Sequence, residues 1–525
     1  MKNRLIHRTV RSAAALGAAA LWSAFLMTSA HAVQPAISLG YDHALVLRAD
    51  GTVWSWGYGS GGQLGLGNGS TRNTPTQIPT LRDVVQVVAR GSFSMALKSD
   101  GTVWAWGDNS GGRTGGPGTS VPVQINGLPP IVSINAGTGT AAAFATDAAG
   151  NVYAWGSNSA AQLGTGQTSG GGNPVPRLVA GAEGSVGVSA SDAAVLALRQ
   201  DGKVVAWGMN SNGALAPVPG PATAPVVIGP LSGVQSVAST SINLAGQYYA
   251  LKSDGSVAVW GQASTSAPFC GQPGIRTSPY ALIDISPIQG LPRISQIEPG
   301  EGHTLFVDAD GAVHACGINA AGQLGDGTLE DPSIEVPKIA HVAGLPPVVA
   351  AAAGSAKSAV IGADGSVWVW GKTTYLTPAG DPKATAPVRV TLADGTPFDA
   401  GRVGEAPGTF AGGQSGPITS LTVDVSASIS PLHRGKIGRV YVAAIAGQTL
   451  LFLGPEGWTA FNGVSAPAYL SGPLPRSVPV NIASGLDFRG LEGVQLVVGY
   501  GVGDDVTAVQ EMLRTGRFQV VHTLH

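Results

Sequence analysis

Along most of the chain, short runs of apolar residues alternating with small or polar ones end at glycine, proline, asparagine or aspartate. A period of two over such lengths predicts strands, not helices. The best-defined run is Asp100 to Gly107 (D-G-T-V-W-A-W-G), with near-copies at Asp50 to Gly57, Gly150 to Gly156, Asp201 to Gly208, Asp254 to Gly261, Asp310 to Gly317 and Asp364 to Gly371. In six of the seven, Asp-Gly supplies a tight turn tolerant of positive φ, Ala149-Gly150 standing there in the third, and the residues after it form the second half of a β-hairpin.

The repeat extends on both sides of that run. Two alternating strands flank the turn in Gly40 to Gly57, and a glycine-rich segment follows, as at Gly61 to Gly67, Ala161 to Gly164 and Gly322 to Gly327. A proline-valine strand (Pro122 to Ile125) and an apolar strand leading into the next unit (Ile131 to Ile134) complete about four strands per unit. The turn glycines Gly51, Gly101, Gly150, Gly202, Gly255, Gly311 and Gly365 recur about every fifty residues, the period of a β-propeller blade. Nine of the eleven tryptophans lie inside these motifs, which predicts packing between blades. The first unit begins almost directly at Pro35, and the seventh ends with a surplus strand, Pro387 to Leu392. Pairing the two would close the ring in a blade shared by both ends and leave no exposed edge.

The expected architecture is therefore all-β. A seven-bladed propeller spans 33–393, with ring closure by N- and C-terminal strands, followed by a Gly/Pro-rich linker at 394–416. Residues 417–525 read as a smaller β-sandwich-like C-terminal domain with one short helix at Asp504 to Thr515.

Composition then narrows the function classes. With 29 basic and 31 acidic residues and a charged fraction of 11%, the chain carries no electrostatic footprint for nucleic acid. Lys2, Arg4, Arg8 and Arg11 precede an apolar run from Ala13 to Met27, and Ala30-His31-Ala32 places small residues where a signal peptidase reads. Residues 1–32 are expected to be a secretory signal peptide, giving an exported monomer with no membrane span after cleavage. Of the two cysteines, Cys316 stands where the other six copies have the second tryptophan of the motif. It reads as a small buried hydrophobe, while export leaves a disulfide with Cys270 open; the spacing is not that of a metal site.

The pattern G-x-x-H-x-L-x-L-x-x-D-G-x-V-W-x-W-G followed by G-Q-L-G, over residues 36–392, resembles the repeat of the regulator of chromosome condensation family. The resemblance implies a seven-bladed propeller. It also implies several activities: nucleotide exchange on a small GTPase, accessory modules of ubiquitin ligases, and inhibition of β-lactamases by a secreted bacterial member. The family histidine is kept at His43 and His303, whereas Phe93, Ala142, Ala194, Gln247 and Lys357 replace it in the other units. A residue so freely exchanged reads as packing, not catalysis. The fifth unit is irregular: Ser239 to Gln247 lacks the expected glycine, and Gln262 to Gly274 lacks the Gly-Gln-Leu-Gly turn. Drift or a site would account for either.

Motifs for chemistry fail on context. Gly57 to Gly62 matches G-x-G-x-x-G but follows a hairpin strand, and Gly499 to Asp504 lacks the last glycine and a βαβ continuation. No H-E-x-x-H, C-x-x-C or G-x-S-x-G occurs. Asn109, Asn158, Asn210 and Asn319, after the Trp-Gly steps, read as turn holders. No catalytic, cofactor or metal residue is singled out, no cofactor is expected, and binding residues stay unassigned. The reading is a non-catalytic exported propeller that docks a protein partner on one loop-bearing face. The alternative is a hydrolase or lyase with a site on that face; nucleotide exchange conflicts with export.

Overall fold

The computed structural model describes residues 33–525 except 138–141, 192–193, 211–214, 216–219, 230, 243–244, 263–269, 271–281, 330–338, 402–409, 416–420, 429–436, 447–448, 455–456, 461–467, 474–476, 487–494, 503–517 and 524–525. The expected signal peptide and the expected helix at 504–515 lie outside the described residues. Two compact units divide the chain, one running Gln34–Arg402 and the other carrying the residues from Val403 onward.

Each repeat folds into one antiparallel sheet whose four strands follow chain order. The first sheet consists of Ala36–Leu39, His43–Leu47, Val53–Gly57 and Arg72–Gln77. The other six span 84–124, 131–178, 185–228, 234–287, 294–342 and 348–389. The Asp-Gly turns form as expected: Gly51 N donates to Arg48 O, and the turn glycines hold φ between 74° and 87°, a region costly for any side chain. Asp50 Oδ1 accepts from the Thr52 amide and hydroxyl, and Asp100 with Thr102, Asp254 with Ser256 and Asp364 with Ser366 repeat the arrangement. The proline-valine strands are the fourth, edge strands, where Pro75, Pro122, Pro225 and Pro387 remove a donor that another chain's edge would use.

Apolar side chains of adjoining sheets share a core at each interface. One core joins Met95, Leu97 and Val103 of the second sheet to Ile134, Ala143 and Trp155 of the third. Another joins Leu305, Val313 and Leu324 of the sixth to Val360 and Trp370 of the seventh. The second tryptophan of the motif ties five of the interfaces. Trp106 Nε1 donates to Gln63 O of the preceding sheet at 2.9 Å, Trp155 to Arg113 O at 2.8 Å, Trp207 to Gln162 O at 2.8 Å and Trp370 to Gln323 O at 2.9 Å. Trp56 donates to Leu376 O of the seventh sheet at 3.3 Å. All five rings are fully buried. The facing turn for Trp260 lies outside the described residues. At the sixth sheet Cys316 takes the tryptophan's place and is joined by a disulfide to Cys270, Cα to Cα 5.6 Å, so it is not simply a small buried hydrophobe.

The expected shared blade does not form. Ala36–Leu39 pairs with His43–Leu47, and Ala384–Arg389 pairs with Val367–Gly371 of its own sheet. The reason lies in the repeat: the first strand of every sheet sits directly before its hairpin, so the unit starting at Ala36 already supplies four strands. The first and seventh sheets instead meet face to face. Ile37, Leu39 and Trp56 share a core with Ala359, Val369 and Leu376.

The segment after residue 389, expected as linker from 394, belongs to this junction. Phe398 is buried against Trp54 and Trp56, with ring centroids 5.3 and 6.1 Å away. Ala400 N donates to Gly365 O of the seventh sheet, and Ala49 N of the first donates to Ala400 O, both at 2.9 Å. At the first-to-second junction Val84 N and Asp83 O make the same two bonds to Gly51 O and Ser99 N. Ala400 thus does the work of residues that elsewhere open the next sheet.

The C-terminal unit is also β-rich. A three-stranded sheet of Phe410–Ser415, Leu421–Ser428 and Ser477–Leu486 accompanies a larger antiparallel one centred on Ile437–Ala446, which pairs with Gln495–Val502. Val440, Tyr441, Val442, Phe452 and Val498 are buried there. Gly499 and Gly501 lie inside a strand, which removes the glycine-rich-loop reading of that stretch.

Candidate functional site

The meander brings two kinds of loop to one end of every sheet: the turn between the first and second strands, and the segment between the third and fourth. Backbone bonds lock them together, as Tyr58 N to Asp42 O at 2.7 Å, Asp108 N to Ser92 O at 2.9 Å, Ile318 N to Gly302 O at 2.7 Å and Lys372 N to Ala356 O at 2.8 Å. The Asp-Gly turns close the opposite end. This loop pole is where the copies differ most in sequence.

Much of its polar chemistry is committed to holding the loops. Asn158 Oδ1 accepts from Leu163 N at 3.0 Å, Asn210 Oδ1 from Leu215 N at 2.7 Å and Asn319 Oδ1 from Leu324 N at 3.0 Å, while Asn109 Oδ1 accepts from Thr114 N at 2.9 Å. The four asparagines are turn holders, as expected. The turn must also pass close to the next tryptophan: a Cβ on Gly325 would lie 2.6 Å from Trp370 Nε1.

The histidine position is structural in the same sense. His43 Nε2 pairs with Ser94 Oγ of the second sheet at 2.9 Å, and Ser94 Oγ also donates to Gln63 O. His303 Nε2 pairs with Ser358 Oγ at 2.8 Å in the matching arrangement. Burial, with Lys357 and Arg113 adding to it, pulls the His43 pKa down to about 3, and burial brings His303 to about 4. Both are neutral at pH 7. In the second sheet Phe93 holds this position, and the Arg113 guanidinium lies 4.8 Å over its ring. Arg113 also donates to Asp108 Oδ2 at 2.5 Å and, through Nε, to Asp108 O at 3.0 Å.

Where the sheets depart from consensus, a charged and aromatic group gathers. Lys357, the seventh sheet's replacement for the histidine, is buried and reaches Tyr41 O and Asp42 Oδ1, and Lys372 approaches the same Asp42 oxygen at 3.1 Å. Burial pushes the Lys357 ammonium down to about 8, with Asp42 opposing. Arg90 occupies the place of Gly40, Gly300 and Gly354, three residues before the histidine position, and donates to Leu39 O and Ala89 O. Glu298 and Glu301 of the sixth sheet act on its charge. Burial pushes the Glu298 carboxyl up to about 7, with Arg90 pulling the other way.

Around this group Tyr41 and Tyr58 are each 39% exposed, and the Tyr58 ring sits 5.4 Å from that of Tyr375. At the same pole a shallow cleft of about 340 Å³ opens between the first and second sheets, lined by Ser60, Gly62, Asp108, Asn109, Thr119 and Ser120 among others. Among the described residues no cluster of three or more His, Cys, Asp or Glu can hold a metal ion. The sequence analysis named only Lys357 of these groups, and named it as a departure. The signal for Arg90 was the same: a charge where Gly40, Gly300 and Gly354 stand in other copies.

The RCC1-like domain model matches residues 66–414 of the chain, and the regulator of chromosome condensation (RCC1) repeat model matches 36–63. The chain belongs to the RCC1-like domain family. Among curated relatives, this RCC1-like chain is 29% identical to human E3 ubiquitin-protein ligase HERC2 over 321 residues, 58% of the chain and 6% of the relative. It is 27% identical to the Arabidopsis thaliana ultraviolet-B receptor UVR8 over 296 residues, 56% of each. It therefore spans just over half of one relative and a small part of the other. Yeast RCC1 (Prp20), solved bound to Kap60, superposes with a TM-score of 0.56 at 22% identity, covering 70% of this chain and 86% of that one. Human WBSCR16 gives 0.52 at 22%, covering 62% and 85%. At such identities these two structures speak for the fold alone.

Proposed function

We propose that the chain is an exported, non-catalytic protein-binding platform: a closed seven-bladed propeller that docks a protein partner on its loop pole. The C-terminal unit would serve as an attachment or second recognition module. The observation that carries this reading is the composition of the pole. Exposed tyrosines and a Lys–Asp–Lys group share this pole with a shallow cleft, while its histidines and asparagines are consumed in holding loops. Tyrosines on a rigid scaffold are the usual anchors of protein interfaces. Protein partners are found on this fold: yeast RCC1 was solved with Kap60, and Prp20p from Saccharomyces cerevisiae is described with its binding properties to Gsp1p and histones. Export rests on the N-terminal sequence.

The test is affinity capture from surface and secreted extracts with the full chain, beside a Tyr41→Ala/Tyr58→Ala variant and a Val132→Ser/Val186→Ser control at the Asp-Gly pole. The reading expects a partner retained by wild type and control and lost by the tyrosine variant. Equal retention by all three would overturn it.

A hydrolase or lyase is the second reading, favoured by one observation. Burial raises the Glu298 carboxyl to about 7 and lowers the Lys357 ammonium to about 8, shifts of the kind that acid–base groups show. It predicts turnover of a small substrate that Glu298→Gln abolishes.

A further inference from the structure

Two departures from the repeat, in different units, meet at one place. The fifth unit lacks the Gly-Gln-Leu-Gly turn whose carbonyl accepts from the next sheet's tryptophan, and the sixth unit lacks that tryptophan. At five other junctions a tryptophan N–H reaches a carbonyl in the preceding sheet's loop. At the fifth-to-sixth junction Cys316 stands at the tryptophan position, Cys270 stands in the preceding sheet's loop, and a disulfide joins them across 46 residues of sequence. Both lie in the core shared by Tyr249, Val259, Ile297 and Phe306, 2% and 0% exposed.

We propose that this disulfide is a redox-sensitive latch on a single junction: it fastens the sixth sheet to the loop of the fifth in an oxidising compartment and releases it under thiol reductants. A thiolate of a dithiol reductant attacks one sulfur, the S–S bond breaks, and the departing sulfur takes up a proton. The reductant's second thiolate then displaces the other cysteine from the mixed disulfide. Two electrons and two protons pass to the pair, and the reductant leaves as its cyclic disulfide. Because both sulfurs are enclosed, attack must follow opening of the junction, so the rate of reduction reports that opening. The tryptophan junctions contain no reducible bond and do not respond. The latch therefore makes the exported compartment a condition for a fully fastened ring, and it stands whether or not the loop pole binds a protein.

The test uses the full chain, thiol alkylation read by intact mass, and amide hydrogen exchange with and without dithiothreitol. Untreated native protein is expected to take up no alkylating agent, and reduced unfolded protein to take up two equivalents, one per cysteine. Reduction should raise exchange in Val257–Gln262, His303–Asp308 and Val313–Gly317 about tenfold, while Val53–Gly57, Val103–Gly107 and Val367–Gly371 change less than about twofold. Oxidised glutathione should restore the first set. A Cys270→Ser/Cys316→Ser variant should show the reduced pattern and ignore dithiothreitol; should it fail to fold, the wild-type measurement decides alone. Two free thiols in the untreated protein, no change on reduction, or an equal rise in all seven sheets would each overturn the proposal.

Discussion

The sixth-to-seventh and fifth-to-sixth junctions perform one task with different chemistry. At the former, Trp370 fills the core and donates to Gln323 O; at the latter, a smaller side chain leaves the same strand position and a covalent bond crosses instead. The tryptophan junction depends on shape and on one N–H, so it is indifferent to redox conditions. The cystine junction gives up aromatic bulk and gains a constraint on the unfolded chain. What the repeat preserves is therefore a link between a third strand and the preceding loop, and the chemistry of the link is free to change when both sides change together.

The largest effect should come from Trp370→Ala. Emptying that buried site and removing one of the two donors to the Gln323 carbonyl, which Ser358 Oγ also reaches at 2.9 Å, should lower unfolding free energy by about 3–5 kcal/mol in urea titration; a loss below about 1 kcal/mol would break the comparison at its tryptophan side. Next comes the other side of it. Cys270→Ser/Cys316→Ser releases a loop closed across 46 residues, for which loop-closure entropy gives about 3–4 kcal/mol, seen as a lower denaturation midpoint.

A third contrast sets the first-to-second junction, with His43 against Ser94, beside the second-to-third, where Phe93 holds the position. The folded-state pKa of His43 is about 3, below the unfolded value of 6.5. Its contribution is fully present above pH 6.5 and is lost as pH falls toward 3. His43→Phe should remove that dependence, so the wild-type-minus-variant stability difference should shrink by roughly 2–3 kcal/mol between pH 7 and pH 4.5. A difference flat with pH would mean that the ring is accessible to protons. The smallest effect belongs to the exposed pole: Tyr58→Ala should change stability by less than about 0.5 kcal/mol while reducing partner retention.

The same comparison shows what sequence can carry. The Asp-Gly turns, the strands and the interblade tryptophans were legible because each repeats with its period, and repetition separates position from accident. The coupling of Cys270 to Cys316 was not, because each looked like a local defect in its own unit and only the packing of successive sheets makes them neighbours. The shared blade failed for a related reason: strands were counted by motif, while the phase of the repeat, with the first strand directly before its hairpin, decides where a sheet begins. Phe398 and Ala400 sat in a stretch of Gly, Pro and Thr that carries no period, yet one buried ring and two backbone bonds place it in the first-to-seventh junction. At the loop pole, Arg90 and Glu298 are single charges at positions occupied in the other units by uncharged residues, and one sequence shows such a departure without showing what faces it.

The central claim is that the junctions build the molecule and the loop pole does the recognising. It is tested most directly by amide hydrogen exchange of the full chain with and without its captured partner. The account predicts protection at 40–43, 58–63, 107–110 and 372–376, with the Asp-Gly turns at 48–52 and 98–102 unchanged. Protection confined to those turns, or to the residues from 403 onward, would contradict it.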